Sequence, residues 1–320
     1  MDFFTHFLIA VLISIFTLNM MPLSIVVYAC IMAILPDFDI VLEPLKKIFK
    51  SNLLAHKGIS HSFFYSALIS AILGWIFSSI TNQPFLKVWL IGFLFYNLHI
   101  FLDFLAASKI PLLYPITRKR FRFFIDRAIN FLLALISSSI IIFYIIIFFN
   151  WPELFFSRFF YYIVGFYLSY FALRILIKIL VRISYPKSYK YIPGVSPFSY
   201  LLYSRIETEN ATQFKLTFNR LFKKKNRIII ESNLKEDSYN KQLYIKAINI
   251  IKKFPFGEKW DAIIPIFEKH EDIIILNLYF AESYSQGRFY SIKIIFNKET
   301  HKILESSEGF NRKYRESKNM

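Results

Sequence analysis

Four of the six histidines in this 320-residue chain, His6, His56, His61 and His99, fall in its first third, where acids are scarce: residues 1–110 hold only Asp2, Asp37, Asp39, Glu43 and Asp103. Neutral imidazole and carboxylate together suit Zn²⁺, Mn²⁺ or Fe²⁺, and more than four such groups allow one or two ions. Cys30, the single cysteine, lies within an apolar run, which excludes an intramolecular disulfide and a cysteine-based zinc knuckle. In NLHIFLDF, His99 and Asp103 are i and i+4 and share one helix face. In LPDFDI, Pro36 can end a helix while Asp37 and Asp39 alternate on one side of an extended turn. In AHKGISHS two histidines stand five positions apart; Gly58 is expected to take a tight or positive-φ backbone, and Ser60 to cap the helix that follows. Each fragment also has a plainer reading: an intrahelical polar pair, a helix stop, an interfacial histidine. Their joint weight depends on where the surrounding elements carry them.

Those elements are membrane helices. The chain is 55% hydrophobic and 19% aromatic, with a mean hydropathy of +0.42, and its long runs are nearly free of charge. Apolar length predicts six transmembrane or re-entrant helices at about 3–18, 21–35, 61–80, 85–107, 126–149 and 158–181. The first two are short, since ~16 residues reach ~24 Å against a hydrocarbon core of ~30 Å. MDFFTHFLIAVLIS lacks a basic n-region and a small-residue cleavage site, so the first segment is expected to be retained. On the sixth, Arg174, Lys178 and Arg182 mark one face, the last two close enough to its end to snorkel.

The net charge is +17, from 39 Lys+Arg against 22 Asp+Glu. The segments at 36–60 and 108–127 carry most of the basic residues of the helical part, while the opposite loops hold only Lys87 and Arg158. The positive-inside rule therefore puts the N-terminus, both basic loops and everything after residue 182 in the cytoplasm of a multi-pass cell-membrane protein. On that topology His6, Asp37, Asp39, His56, His61, His99 and Asp103 all fall at one membrane depth. Ionisable groups are costly in membrane segments and usually functional there.

From residue 204 the composition turns soluble, with 22 Lys+Arg and 15 Asp+Glu. QFKLTFNRLF, NRIIIESN, EDIIILNLYFAE and GRFYSIKIIFNK read as strands, HKIL as a short last one after a turn at Asn297–Thr300, and KQLYIKAINIIKKF as an amphipathic helix. The expected organisation is a helical membrane domain at 1–184, a linker at 185–203, a small cytoplasmic α+β domain with an antiparallel sheet at 204–310, and a flexible tail at 311–320.

In order and spacing, His6 early in the first helix, then LPDFD, HKGISHS and LHIFLDFLAASKIPLLYP resemble the motifs of the membrane-bound metal-dependent hydrolases. These are also described as LexA-binding, inner-membrane-associated hydrolases, and the resemblance spans about residues 1–120. It implies that His6, Asp37, Asp39, His56, His61, His99 and Asp103 form the metal site. Ile40 stands where the family often has a further histidine, Lys57 where it has arginine and Ser60 where it has threonine. Lys57 keeps the cation without the bidentate geometry.

The leading expectation is a metal-dependent phosphoesterase acting on a lipid or lipid-linked substrate at the cytoplasmic interface, with zinc foremost and manganese or iron as alternatives. Asp37 or Asp39, where not a ligand, serves as general base and Lys57 holds the phosphate as a point charge. TRKRFR at 117–122 is read first as a topology signal and second as a gatherer of anionic groups. Two rivals stay open: a metal or proton transporter using the same ligands, and a membrane-anchored module working through its C-terminal domain, where KKKNR at 223–227 is the basic patch. That domain has no nucleic-acid motif, so the expected partners are the bilayer and a phosphoester.

Overall fold

The structure is a computed structural model that describes residues 2–18, 21–42, 57–106, 109–127, 130–151, 159–236, 238–251, 254, 260–285 and 287–312. It divides into two compact units, 1–175 and 176–320.

The first unit is helical. Asp2 caps α1 (Phe3–Thr17), accepting the Thr5 N–H at 2.9 Å. The next helix, α2 (Leu23–Ile34), starts after Pro22, which has no N–H to lose there. It tightens into a 3-10 turn at Leu35–Leu42, where Pro36 cannot donate to an α-helical ladder. A short 3-10 turn, Ile59–His61, leads into α3 (Phe63–Thr81). Ser62 caps α3, accepting the Tyr65 N–H at 3.3 Å, in the role expected of Ser60. Asn82 ends α3 with φ 54°, a left-handed position that asparagine tolerates. Then follow α4 (Phe85–Leu105), α5 (Phe131–Asn150), capped by Asn130, and α6 (Phe159–Ser184). All six expected segments are helical. Four stretches, 23–41, 63–81, 85–105 and 160–184, are long and apolar enough to cross a membrane, and the helices at 3–17 and 131–147 are shorter.

Two apolar clusters hold these helices. One joins Ile25, Tyr28 and Met32 of α2 to Val88, Phe95, Tyr96 and Ile100 of α4. Gly92 makes that crossing close, because a Cβ there would stand 2.4 Å from the Tyr28 hydroxyl. The other joins Leu8, Leu12 and Ile15 of α1 to Leu133 and Tyr144 of α5 and to Phe160, Ile163 and Tyr167 of α6. After α4 the chain folds back on the helix end. The Phe123 N–H donates to the Phe104 carbonyl at 2.6 Å, the Ile125 N–H to that of Leu105 at 2.9 Å, and Ile110 and Phe121 exchange backbone bonds. The basic loop is thereby pinned beside the helix end that carries Asp103.

The second unit holds two four-stranded antiparallel sheets, each with its strands in sequence order. The first is β1 (Tyr189–Pro193), β2 (Ser199–Glu207), β3 (Ala211–Arg220) and β4 (Lys223–Lys235); the second is β5 (Ile263–Lys269), β6 (Ile273–Phe280), β7 (Arg288–Asn297) and β8 (Ile303–Arg312). In chain order, α7 (Tyr239–Ile251) falls between β4 and β5 and buries Leu243, Tyr244, Ala247 and Ile251. The antiparallel α+β expectation holds, with more strands than foreseen. The stretch expected as a linker, 185–203, carries β1 and half of β2, IIPIFEK forms β5, and the last strand is ten residues long. Residues 313–320 of the expected tail lie outside the described residues.

Candidate metal centre

Four elements deliver ionisable side chains to one place at the ends of the helices. The last two turns of α4 present His99 and Asp103, both completely buried. The 3-10 turn after α2 brings Asp37. The 3-10 turn before α3 brings His61, also completely buried, and the first turn of α1 brings His6. One donor atom from each of Asp37, His61, His99 and Asp103 lies within 4.8 Å of the others. Asp103 is the hub: its Oδ2 is 3.1 Å from His61 Nε2 and 3.8 Å from His99 Nε2, and its Oδ1 is 3.3 Å from His6 Nε2. Asp37 Oδ1 is 3.4 Å from His99 Nε2 and 4.0 Å from His61 Nε2.

The tautomers follow from the far side of each ring. His99 Nδ1 is 2.8 Å from the Ala33 carbonyl oxygen, which can only accept, so Nδ1 carries the proton. In the neutral ring Nε2 then presents a lone pair to two carboxylate oxygens, and it makes no hydrogen bond among the described residues. At His61, Ser60 donates its hydroxyl proton to Asp39 Oδ2 and is 2.9 Å from Nδ1, with Asp39 Oδ2 itself 3.4 Å from that nitrogen. An Nδ1–H fits both contacts and leaves the His61 Nε2 lone pair facing inward. Lone pairs of two imidazoles and two carboxylates converging on a buried point favour positive charge between them. Two nitrogens and two oxygens make a donor set that could hold a metal ion.

The other expected site residues take different places. His6 stacks on His99, ring centroids 3.8 Å apart at 16°, and its Nδ1 has no hydrogen bond among the described residues. Asp39 is turned to the outer side of His61, accepting the Lys57 N–H at 2.9 Å and the Ser60 hydroxyl. Lys57 is almost fully buried and reaches into the cluster, its Nζ 2.9 Å and 2.8 Å from the two Asp103 oxygens. Burial works against the Lys57 charge, but the Asp103 and Asp37 carboxylates outweigh it and hold its pKa above the ordinary lysine value. The left-handed backbone expected of Gly58 belongs instead to Lys57, at φ 61°, while Gly58 has φ −88°. His56 lies outside the described residues.

Three supports of this loop carry no metal-ligand signature in the sequence. Ser60 bridges Asp39 and His61, the Tyr96 hydroxyl donates to the Ser60 carbonyl at 2.9 Å, and Arg120 donates to the Lys57 carbonyl at 3.4 Å. Arg120 comes from the TRKRFR run, so part of that run is built into the site's frame. A second buried polar group, Asp126, Asn130, Tyr170 and Arg174, also went unforeseen. Arg174 had been placed only on a helix face, and its partner Asp126 is 48 positions away in sequence.

Fold and site together define a multi-pass membrane protein with a buried His/Asp cluster competent to hold a metal ion. Residues 1–178 match the family of YdjM inner membrane proteins, and the chain belongs to that family. The match extends well beyond the motif-bearing residues 1–120, through α5 and most of α6. Neither the curated proteins nor the solved structures include a match to this chain.

Proposed function

We propose that Asp37, His61, His99 and Asp103 hold one divalent transition-metal ion, zinc foremost, and that the chain hydrolyses a lipid or lipid-linked phosphoester at the cytoplasmic face of the inner membrane. The observation that carries this reading is the convergence of two inward-facing imidazole nitrogens and two carboxylates within 4.8 Å, three of the four residues being buried. A bound ion of this class lowers the pKa of water and polarises a phosphoryl oxygen.

The chain's own residues supply the rest. Asp37 is the one ligand candidate with an exposed edge, its side chain 17% accessible where those of His61, His99 and Asp103 are sealed. Substrate therefore approaches past Asp37, and the oxygen of this carboxylate that does not hold the ion takes the proton of the attacking water. Asp39 acts as a positioning residue, fixing the His61 ring through Ser60. Lys57 supplies the point charge for the substrate phosphate, and His6 backs His99 by stacking. Exposed Phe38, Ile40 and Val41 follow Asp37 directly, an apolar rim suited to a substrate with a lipid tail.

The basic segments at 36–60 and 108–127 support the cytoplasmic orientation through the positive-inside rule. Transport through the bundle is less well supported, because few polar residues lie along α3 among the described residues. Ser66 contacts the Phe63 carbonyl and Asn97 Oδ1, Ser78 and Ser79 donate to the carbonyls of Gln83 and Trp75, and Ser70 is buried without a hydrogen bond among the described residues.

The test has two arms. Metal analysis of the purified full chain should find about one equivalent of zinc, manganese or iron. Phosphomonoester, phosphodiester and phospholipid substrates should be turned over by the metal-loaded protein and not by His61→Ala. Bound metal without turnover of any phosphoester would remove the phosphoesterase assignment and leave the metal site.

A further inference from the structure

The hairpin connections of the second unit differ sharply in chemistry. Three are polar. Thr208, Glu209 and Asn210 join β2 to β3, His270, Glu271 and Asp272 join β5 to β6, and residues 298–302 join β7 to β8. The first and last of these contain their own turn bonds, from the Thr208 hydroxyl to the Ala211 carbonyl and from the N–H groups of Glu299 and Thr300 to Asn297 Oδ1. The tip between β3 and β4 is Leu221–Phe222, two large apolar residues in a two-residue loop where asparagine and glycine are the usual choice.

Neither turn chemistry nor packing accounts for them. Both tip residues keep negative φ, so the loop does not use the left-handed pair that fits such hairpins best. Phe222 is 79% exposed, and Phe198, whose ring centroid is 5.7 Å from its own, is itself exposed at 44%. Phe198 reaches the tip because β1 pairs with β2 and β2 with β3, which sets Ser199 opposite Arg220. Around this apolar point the sequence places five cations within eight residues, Arg220, Lys223, Lys224, Lys225 and Arg227, and no acid before Glu231.

We infer that the β3–β4 tip, with Phe198, inserts into an anionic lipid surface, the rings entering the headgroup region and the flanking cations meeting lipid phosphates. Aromatic side chains favour that depth, and basic residues beside an anionic leaflet add attraction that salt screens. Only four residues separate the end of α6 at Ser184 from β1 at Tyr189, so the unit is tethered within reach of a bilayer. Docking would hold the second unit on the membrane independently of what the metal centre does.

The full chain with Cys30→Ala and Phe222→Cys, carrying a polarity-sensitive fluorophore at residue 222, is placed in phosphatidylcholine nanodiscs with and without phosphatidylglycerol. A matched protein labelled at Glu271→Cys reports a polar tip. The expected result is blue-shifted emission at 222, quenched by spin-labelled lipid in the anionic discs. Salt, or Lys223, Lys224 and Lys225 all changed to Glu, should reverse the effect, and the label at 271 should stay aqueous. The inference is overturned if 222 behaves like 271 in both lipids. It is equally overturned if 222 is shielded from an aqueous quencher but untouched by lipid quenchers, since a protein surface would then be the occupant.

Discussion

Two groups of ionisable side chains are buried in the helical unit, and they are built on opposite principles. Around Asp126 every charge and donor is matched. Arg174 Nη2 is 3.1 Å from Asp126 Oδ1, and the Tyr170 hydroxyl accepts from Arg174 Nε and Nη2 while donating to Asp126 Oδ2 at 2.8 Å. Asn130 Nδ2 contributes to both the Asp126 carboxylate and the Tyr170 hydroxyl. Among the described residues the Arg174 charge meets that of Asp126, and the helices are clasped. Around Asp103 the balance is different: among the described residues, carboxylates and imidazole lone pairs outnumber the cation Lys57, and they point at a common centre. A saturated cluster holds a fold, whereas one with converging lone pairs is equipped to hold an ion.

That contrast can be broken experimentally. The largest effect is expected from Asp103→Ala, which removes the hub of the second cluster and the partner of buried Lys57, and should take metal content to background in the fraction that still elutes as a folded species. Arg174→Ala should do the reverse. It leaves the Asp126 carboxylate buried without its cation, a loss of about 3–5 kcal/mol seen as a lower unfolding temperature in detergent, while the folded fraction keeps its metal. If Arg174→Ala strips metal as completely as Asp103→Ala does, the two clusters are not separable and the contrast fails.

Smaller changes sharpen the picture. Asp39→Asn should retain one equivalent of metal but weaken its affinity by about 10–100-fold in competition with a chelator, because the His61 ring loses its orienting partner. Affinity equal to wild type would remove Asp39 from the positioning role. Lys57→Met should bind metal severalfold more tightly, since a cation competing for Asp103 is gone, and should bind inorganic phosphate more weakly. Weaker metal binding in that variant would mean that Lys57 helps to shape the cluster.

How much of this was legible before the structure depends on the range of the interaction. The helices announce themselves in apolar runs, and the cluster could be anticipated because each donor sits at the same end of its helix. Finer roles needed tertiary information. Ser60 is the cap expected from sequence, but Asp39 and His61 engage its hydroxyl and Ser62 takes the capping role. The Asp126–Arg174 pair was hidden because long-range pairing leaves no periodic trace. Strands β1 and β5 were missed for a specific reason: Pro193 and Pro265 argue against a strand, yet both strands are sheet edges, where a missing N–H can be tolerated.

The central claim is that the Asp37–His61–His99–Asp103 cluster is a metal site. The most direct measurement is elemental analysis of the full-length protein purified without chelator, beside Asp103→Ala and Arg174→Ala prepared identically. The account predicts about one equivalent of a transition metal in the wild type and in the folded Arg174→Ala protein, and none in Asp103→Ala. A folded wild type that holds no metal, and takes none up when zinc, manganese or iron is supplied, would contradict it.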